Sequence, residues 1–345
     1  MDVENFLYLL TAEGQNALDA ASKLEPREED FLAHFTALSK VFPADLARAA
    51  LETAILRREA KVKFPQADRM YFTREALEQA TSYDVSSYRS ERYEGYHPVA
   101  DLGCSIGGDT IAFAQKAFTT GVDLDPLRIQ MAQENLRSLG LAEQSAFLQA
   151  DLVSLLPIKG KHTALFFDPA RRSKGRRIFS VRDYHPPLNI IYTWLKNFPA
   201  VGVKISPGVD LDELTEYSAE VEFISLRGEL KEAVLWFGPL KTASRRATLL
   251  PGPHTIGVDR PPNEEPVLPL SEPLTFLLEP DPSILRAGLV GDLGAILDAA
   301  QLDPSIAYLT ADSATNNPFV RGYIIEDLLP FHLKLLRAYL LERGV

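Results

Sequence analysis

Residues 99–109, VADLGCSIGGD, decide how the chain reads. An apolar lead-in, Asp101 and a cluster of small residues precede IAFAQKAF, whose apolar positions recur at helical spacing. The stretch therefore reads as strand, tight turn and helix. Turns of this kind hold nucleotide-like ligands, because glycine lets the backbone approach closely and a helix start presents unpaired N–H groups. The glycines fall at 103, 107 and 108 with Ser105 between them, so the dinucleotide fingerprint G-x-G-x-x-G is not met. Ser105 is tolerable if the chain needs no positive φ there. Asp101, two residues before the first glycine, suits a ligand that ends in a cationic amino acid rather than a pyrophosphate. S-adenosylmethionine is such a ligand, with Asp101, Gly103, Cys104 and Gly107 around its methionine end.

The 345 residues suffice for two or three units of ordinary domain size. No apolar run approaches the ~20 residues of a membrane span. The N-terminus, MDVENFLYLLTAEG, starts acidic and carries no charged-then-apolar signal pattern. A cytosolic protein with no membrane partner is expected. Cys104 is the only cysteine, which excludes internal disulfides and a cysteine zinc site, and the six histidines form no H-x-x-x-H pair, so no metal is expected. The net charge of −11 argues against holding nucleic acid by bulk attraction and leaves only a local basic patch for that purpose.

Working outward, residues 1–95 are rich in Ala, Leu, Glu and Arg with apolar positions at i, i+3 and i+4, and read as a helical N-terminal domain broken at Pro26, Pro43 and Pro65. Thr73 is a candidate cap for REALEQA. The tyrosine-rich stretch TSYDVSSYRSERYEGY leads into the centre, either as a packing helix or as the mouth of a substrate site. Residues 96–240 alternate short apolar runs with amphipathic helices, as in a parallel sheet with crossovers. Seven strands are expected (PVADLG, AFTTGVDL, SAFLQAD, TALFFDP, AVGVKIS, VEFISL and EAVLWFG), the last two as a hairpin with one strand reversed. Proline density marks 241–272 as a linker or surface loop. Residues 273–345 read as a small α+β unit closing on an amphipathic helix that lacks an obvious partner.

The strand ends carry the chemistry. Asp123 in GVDLDP can accept both ribose hydroxyls, with Leu124 beside it, while Asp125 before Pro126 suits a helix cap. Asp151 in QADL can accept an adenine amine and the Leu152 N–H can donate to the ring. The fourth strand ends in FFDPARRSKGRR. Asp168 followed by Pro169 resembles the Asp-Pro-Pro and Asn-Pro-Pro motifs of enzymes that methylate exocyclic amines, which implies a carboxylate that accepts one N–H of the amine and turns its lone pair towards a methyl donor, with in-line approach supplying most of the rate. Arg171, Arg172, Lys174, Arg176 and Arg177 follow without an intervening acid and match phosphate contacts to RNA. His185 reads as packed, and Lys204, buried in a strand pattern, can snorkel or pair with an acid; neither reads as catalytic.

In this order and spacing, VADLGCSIGGD, GVDLDP, QADL and DPARR resemble class I S-adenosylmethionine-dependent methyltransferases. EQAT, GRR, KISPG and EPDPSILRAGL extend the resemblance to the bacterial group with a THUMP-like domain, and the core is similar to that of trimethylguanosine synthase. The resemblance implies an α/β, Rossmann-like seven-stranded methyltransferase sheet, an N-terminal helical domain and a C-terminal ferredoxin-like or THUMP-like region that helps hold RNA. It also implies methylation of an exocyclic nitrogen of an RNA base. Two departures stand out. Ala170 and Arg171 replace the second proline and the aromatic residue of amine methyltransferases, and the chain stops at Val345 where the THUMP-like part normally continues, as a truncated end would. A protein or small-molecule acceptor, or a module that binds S-adenosylmethionine without chemistry, are the alternatives.

Overall fold

A computed structural model describes residues 1–153, 164–169, 172–173, 176–177, 180–260 and 264–345. These fall into two compact units, Met1–Ile224 with Glu232–Ser244, and Ser225–Lys231 with Arg245–Val345.

The first unit begins with α1 (Val3–Leu9), α2 (Ala12–Ser22), α3 (Phe31–Leu38), α4 (Ala44–Ala60), α5 (Arg74–Gln79) and α6 (Tyr83–Glu91). Their starts follow local chemistry. The side chains of Asp2, Thr11 and Thr73 accept the N–H groups of Asn5, Gly14 and Ala76, and Pro43 stands directly before α4, where its missing N–H costs no helical bond. There follow β1 (Val99–Leu102), α7 (Gly108–Ala114), β2 (Thr119–Asp123), α8 (Pro126–Ser138), β3 (Ser145–Gln149) and β4 (Ala164–Phe167). A two-stranded ribbon, β5 (Arg172–Ser173) and β6 (Arg176–Arg177), precedes α9 (Ile191–Trp194), β7 (Val201–Ile205), β8 (Glu220–Leu226) and β9 (Glu229–Phe237). The helix expected over PPLNIIYTWLKNF shrinks to the four-residue α9, preceded by a 3₁₀ turn that starts directly after Pro187.

The sheet order is β8-β9-β7-β4-β1-β2-β3. β3, β2, β1, β4 and β7 run parallel, and β9 is antiparallel to β7. β8 and β9 are joined by Arg227 and Gly228, both at positive φ (55° and 79°), the two-residue turn whose twist suits a hairpin. The parallel run places the C-terminal ends of β1 to β4 along one edge, where ligands of open α/β sheets bind.

The N-terminal helices do not form a core of their own. Phe6, Leu9, Leu46, Leu51, Phe64 and Phe72 are buried in one cluster with Ile106 and Ile111 around α7 and Met131 and Leu136 of α8. Asn135 fastens this junction: its Nδ2 donates to Tyr71 C=O (3.1 Å) and Ile106 C=O (2.9 Å), and its Oδ1 accepts the Tyr71 N–H (2.7 Å).

In the second unit, 241–272 is not only a linker. β10 (Arg245–Leu250) and β11 (His254–Val258) pair as an antiparallel hairpin, and the Arg227 N–H at the β8 tip donates to Leu250 C=O (2.8 Å). The sheet thus exceeds the expected seven strands. Pro251 and Pro253 sit in the hairpin turn, so the proline density that reads as a linker marks a bend between strands. β12 (Phe276–Pro280), α10 (Pro282–Ala287), α11 (Val290–Leu297), β13 (Ala300–Gln301), β14 (Leu309–Ala311), β15 (Val320–Ile324) and α12 (Leu333–Glu342) complete the unit. Its small sheet, β13-β14-β12-β15, is antiparallel throughout. The ferredoxin-like order β-α-β-β-α-β is not met: α10 and α11 are consecutive, and SATNNPF between β14 and β15 has no helical periodicity. As the sequence implies, α12 buries none of its residues.

Asn135→Ala removes one partner from three buried backbone groups. Denaturant unfolding should show a loss of about 3 kcal/mol, since each unmet buried group costs about 1–3 kcal/mol.

Candidate active site

The turn after β1 alternates left-handed residues: Gly103 (φ 82°), Ser105 (φ 51°) and Gly107 (φ 82°). Ser105 therefore does take a positive φ, against the expectation from its side chain. The cause is its N–H, which donates to Asp123 Oδ2 at 2.8 Å. A left-handed non-glycine residue costs about 1–2 kcal/mol. A hydrogen bond to a charged group returns about 1.5–3 kcal/mol and offsets it.

The expected free N–H groups are largely absent. Gly103 and Cys104 both donate to Val122 C=O (2.8 and 3.0 Å), and Gly107 donates to Cys104 C=O (2.9 Å). The turn spends its donors on itself and leaves acceptors. Asp101 is buried, its Oδ2 accepts the Thr110 hydroxyl (2.5 Å), and its Oδ1 has no partner among the described residues. Burial first, and then the Asp109 carboxylate, push the Asp101 carboxyl up to about 8. The Ser105 hydroxyl is likewise buried without a partner. A Cβ at Gly103 would stand 2.4 Å from the Asp168 carbonyl oxygen, so β1 and β4 meet here at glycine distance. Cys104 turns its thiol inward, within 3.0 Å of where a Gly121 Cβ would stand, and burial pushes that thiol well up.

The other expected residues lie along the same sheet edge. Asp123 accepts the Asp125 N–H at Oδ1 (2.9 Å) as well as that of Ser105, so each oxygen keeps a lone pair. Asp125 caps α8 by accepting from Leu127 and Arg128, as its place before Pro126 implies. Leu124 is 63% exposed, an apolar side chain standing free at a strand end. Asp151 is exposed and accepts the Val153 N–H (3.0 Å), a turn rather than a helix cap, with Leu152 between. Asp168 follows β4, its N–H bonded to Leu102 C=O (2.9 Å), and Pro169 after it is buried. Among the cations, Arg172 pairs in register with Arg177, and Ser173 with Arg176, on β5 and β6; Arg171 and Lys174 lie outside the described residues.

Of the charges behind this edge, the sequence points to Lys204, buried in its strand pattern and able to pair with an acid, but not to Arg89, Asp109 or Glu232. Lys204 on β7 is 3% exposed, and its Nζ donates to Asp168 Oδ2 (2.6 Å) and Thr81 Oγ1 (2.8 Å). Arg89 on α6 is ion-paired with Asp109 and with Glu232 (3.1 Å), and lies 4.3 Å from the centroid of the Phe166 ring. On the same helix Tyr88 donates to Glu222 (2.6 Å), and just beyond it Tyr93 donates to Leu165 C=O (2.8 Å). The tyrosine-rich lead-in thus packs and carries charge inward. A charged residue inside an otherwise buried strand, as in VGVKI and KEAVLWF, was the available signal.

The comparisons with known proteins agree with this architecture. A family described as a domain of unknown function (DUF8688) matches residues 2–60. Over 307 residues, 86% of this chain and 82% of the relative, the sequence is 36% identical to an uncharacterized S-adenosylmethionine-dependent methyltransferase of Mycobacterium tuberculosis. A 131-residue stretch, 35% of this chain and 55% of the relative, is 27% identical to trimethylguanosine synthase of Schizosaccharomyces pombe. The fold matches the crystal structure of a candidate methyltransferase from Porphyromonas gingivalis W83, with a TM-score of 0.73 over 93% of this chain and 87% of that one at 21% identity. With a relative of that identity matched over most of both chains, this chain belongs to the S-adenosylmethionine-dependent methyltransferases, and S-adenosylmethionine is its cofactor.

Proposed function

We propose that the chain methylates an exocyclic nitrogen of a base in RNA. The observation that carries the reading is Asp168. Its Oδ2 is taken by Lys204, while Oδ1 has no partner among the described residues on a side chain 22% exposed, one strand from the cofactor turn. An outward carboxylate oxygen can accept an amine N–H and orient the nitrogen lone pair, and Pro169 stiffens the backbone beneath it. The basic ribbon of Arg172, Arg176 and Arg177, with Arg171 and Lys174 around it in sequence, follows directly and suits a phosphate backbone. The relative named trimethylguanosine synthase points the same way.

The turn fits the cofactor. Its unpartnered buried carboxyl oxygen, Asp101 Oδ1, suits a cation rather than a phosphate, and the Ser105 hydroxyl beside it is buried without a partner among the described residues. In this reading Asp101, Gly103, Cys104 and Gly107 hold the methionine end, the last three through backbone. Asp123 takes the ribose, with Leu124 against the nucleoside, and Asp151 with the Leu152 N–H takes the adenine. Bound there, S-adenosylmethionine supplies an electrophilic methyl carbon on a sulfonium sulfur. Asp168 turns the acceptor amine towards it, and no strong base is needed because the methylated nitrogen sheds its proton readily.

Asp101 links this site to pH. A folded-state carboxyl raised from 3.8 to about 8 contributes stability that is complete below the unfolded value and is lost as pH rises through about 8. Asp101→Asn, which cannot ionise, should therefore gain stability over wild type by an amount that grows from pH 4 to pH 8 and then levels, as read by urea unfolding across that range. S-adenosylhomocysteine, which carries the same ammonium, should release a proton on binding to wild type at pH 7 and none on binding to Asp101→Asn, by calorimetry in buffers of different ionisation enthalpy.

Asp123→Ala should weaken S-adenosylhomocysteine by at least about tenfold, since each charge-assisted hydrogen bond to a ribose hydroxyl is worth about 1.5–3 kcal/mol. Asp168→Asn should leave that affinity intact and lower methyl transfer from labelled cofactor into RNA by at least about 100-fold, the usual effect of removing one oriented group at the transition state. RNA affinity should fall steeply with salt, and neutralising Arg172, Arg176 and Arg177 should flatten the slope by about one unit per phosphate contact. Label recovered in protein or small molecules rather than RNA overturns the acceptor. No S-adenosylhomocysteine binding at millimolar ligand overturns the site.

A further inference from the structure

We propose that Lys204 is a positioning residue for methyl transfer, fixing Asp168 so that one carboxylate oxygen is occupied and the other faces the acceptor. The inference rests on the reading of Asp168 given above. Lys204 enters from β7, which lies parallel to β4 with Val203 opposite Phe167, so the two side chains leave neighbouring strands at the same level. Its four-carbon stem is buried, and its ammonium meets Asp168 Oδ2 on one side and Thr81 Oγ1 on the other.

The Thr81 hydroxyl completes the arrangement by donor accounting. It accepts from Lys204 (2.8 Å) and from Arg89 (3.3 Å), which fills both lone pairs and leaves its one hydrogen for Asp109 Oδ2 at 3.5 Å. Lys204 is therefore held from behind and cannot swing away from Asp168 without leaving buried polar groups unpaired. An Asp168 side chain alone has rotamers to choose from. With Oδ2 pinned, only Oδ1 is left to meet a substrate.

The ammonium is also the charge partner of Asp168. The other charged groups around it are Asp101 from β1, Asp109 from α7, Arg89 from α6 and Glu232 from β9. Arg89 is engaged by Asp109 and Glu232, so Lys204 is the cation in direct contact with Asp168 among the described residues. Removing it leaves Oδ2 without its donor, and the side chain is then free to turn away from the acceptor.

The test compares Lys204→Met, Lys204→Arg and Asp168→Asn with wild type. Carboxyl-carbon NMR on aspartate-labelled protein, with Asp168 assigned from its loss in Asp168→Asn, needs no substrate. Lys204→Met should move the Asp168 carboxyl resonance at pH 7, and Lys204→Arg, which keeps a donor to Oδ2, should move it by less than half as much. In methyl transfer, Lys204→Met should lower kcat about 100-fold, as a displaced reacting group does, with KM and S-adenosylhomocysteine affinity within about twofold. The double variant Lys204→Met/Asp168→Asn should be no slower than Asp168→Asn alone, because Lys204 acts through that residue. Lys204→Gln is read in the same way if Lys204→Met does not fold. An unmoved carboxyl resonance together with kcat within twofold of wild type overturns the proposal. If Asp168→Asn itself transfers methyl at the wild-type rate, the role of Asp168 fails, whereas loss in Asp168→Asn with none in Lys204→Met removes only Lys204.

Discussion

The structure depends on gathering carboxylates in one place without enough cations to match them. Asp101, Asp109, Asp168 and Glu232 converge on Arg89 and Lys204 beneath the ends of β1 and β4. Taking a carboxylate out of water is unfavourable unless it is paired or protonated, and both remedies are used here. Asp109 and Glu232 share Arg89, Asp168 has Lys204, and Asp101 is left to keep its proton up to about pH 8. The cluster stays one positive charge short of comfort. In the proposed reading, a cationic ligand at the turn meets a protein that already has a place for its charge.

That arrangement explains why α5 and α6 precede the sheet. Thr81 and Arg89 arrive from this helical lead-in, and the guanidinium lies on the Phe166 ring of β4. Arg92, just past α6, pairs with Glu220 (2.8 Å) and Glu222 (3.5 Å) on β8. The lead-in thus serves as the electrostatic floor of the sheet, and the same side chains that bury its charges hold the strands that carry the site.

Much of this was legible in the sequence. The short apolar runs located β1 to β4 and β7 to β9, and the acids at their ends followed from position alone. Asp125 before Pro126, and Thr73 before REALEQA, announced two helix starts by chemistry that acts within four residues. What was not legible depends on distance. Thr81 and Lys204 are 123 residues apart, and nothing local in either string says they meet. The backbone at Ser105 was misjudged for the same reason, because its left-handed φ is imposed by Asp123, which local propensity does not see. The β10–β11 hairpin was hidden by prolines that flank short strands as readily as they fill linkers.

The shared core of α1 to α4 with α7 and α8 bears on how such chains can be recombined. The segment at residues 2–60, which matches a family of its own, does not end in a seam: Phe6, Leu46 and Leu51 pack in one cluster with Ile111, Met131 and Leu136. Grafting that segment from one relative onto the methyltransferase half of another would join two half-cores shaped by different partners. Such chimeras should lose cooperativity unless the α7 and α8 contact residues travel with the graft, so variation in the two halves is tied together by packing even where no cofactor or substrate is involved.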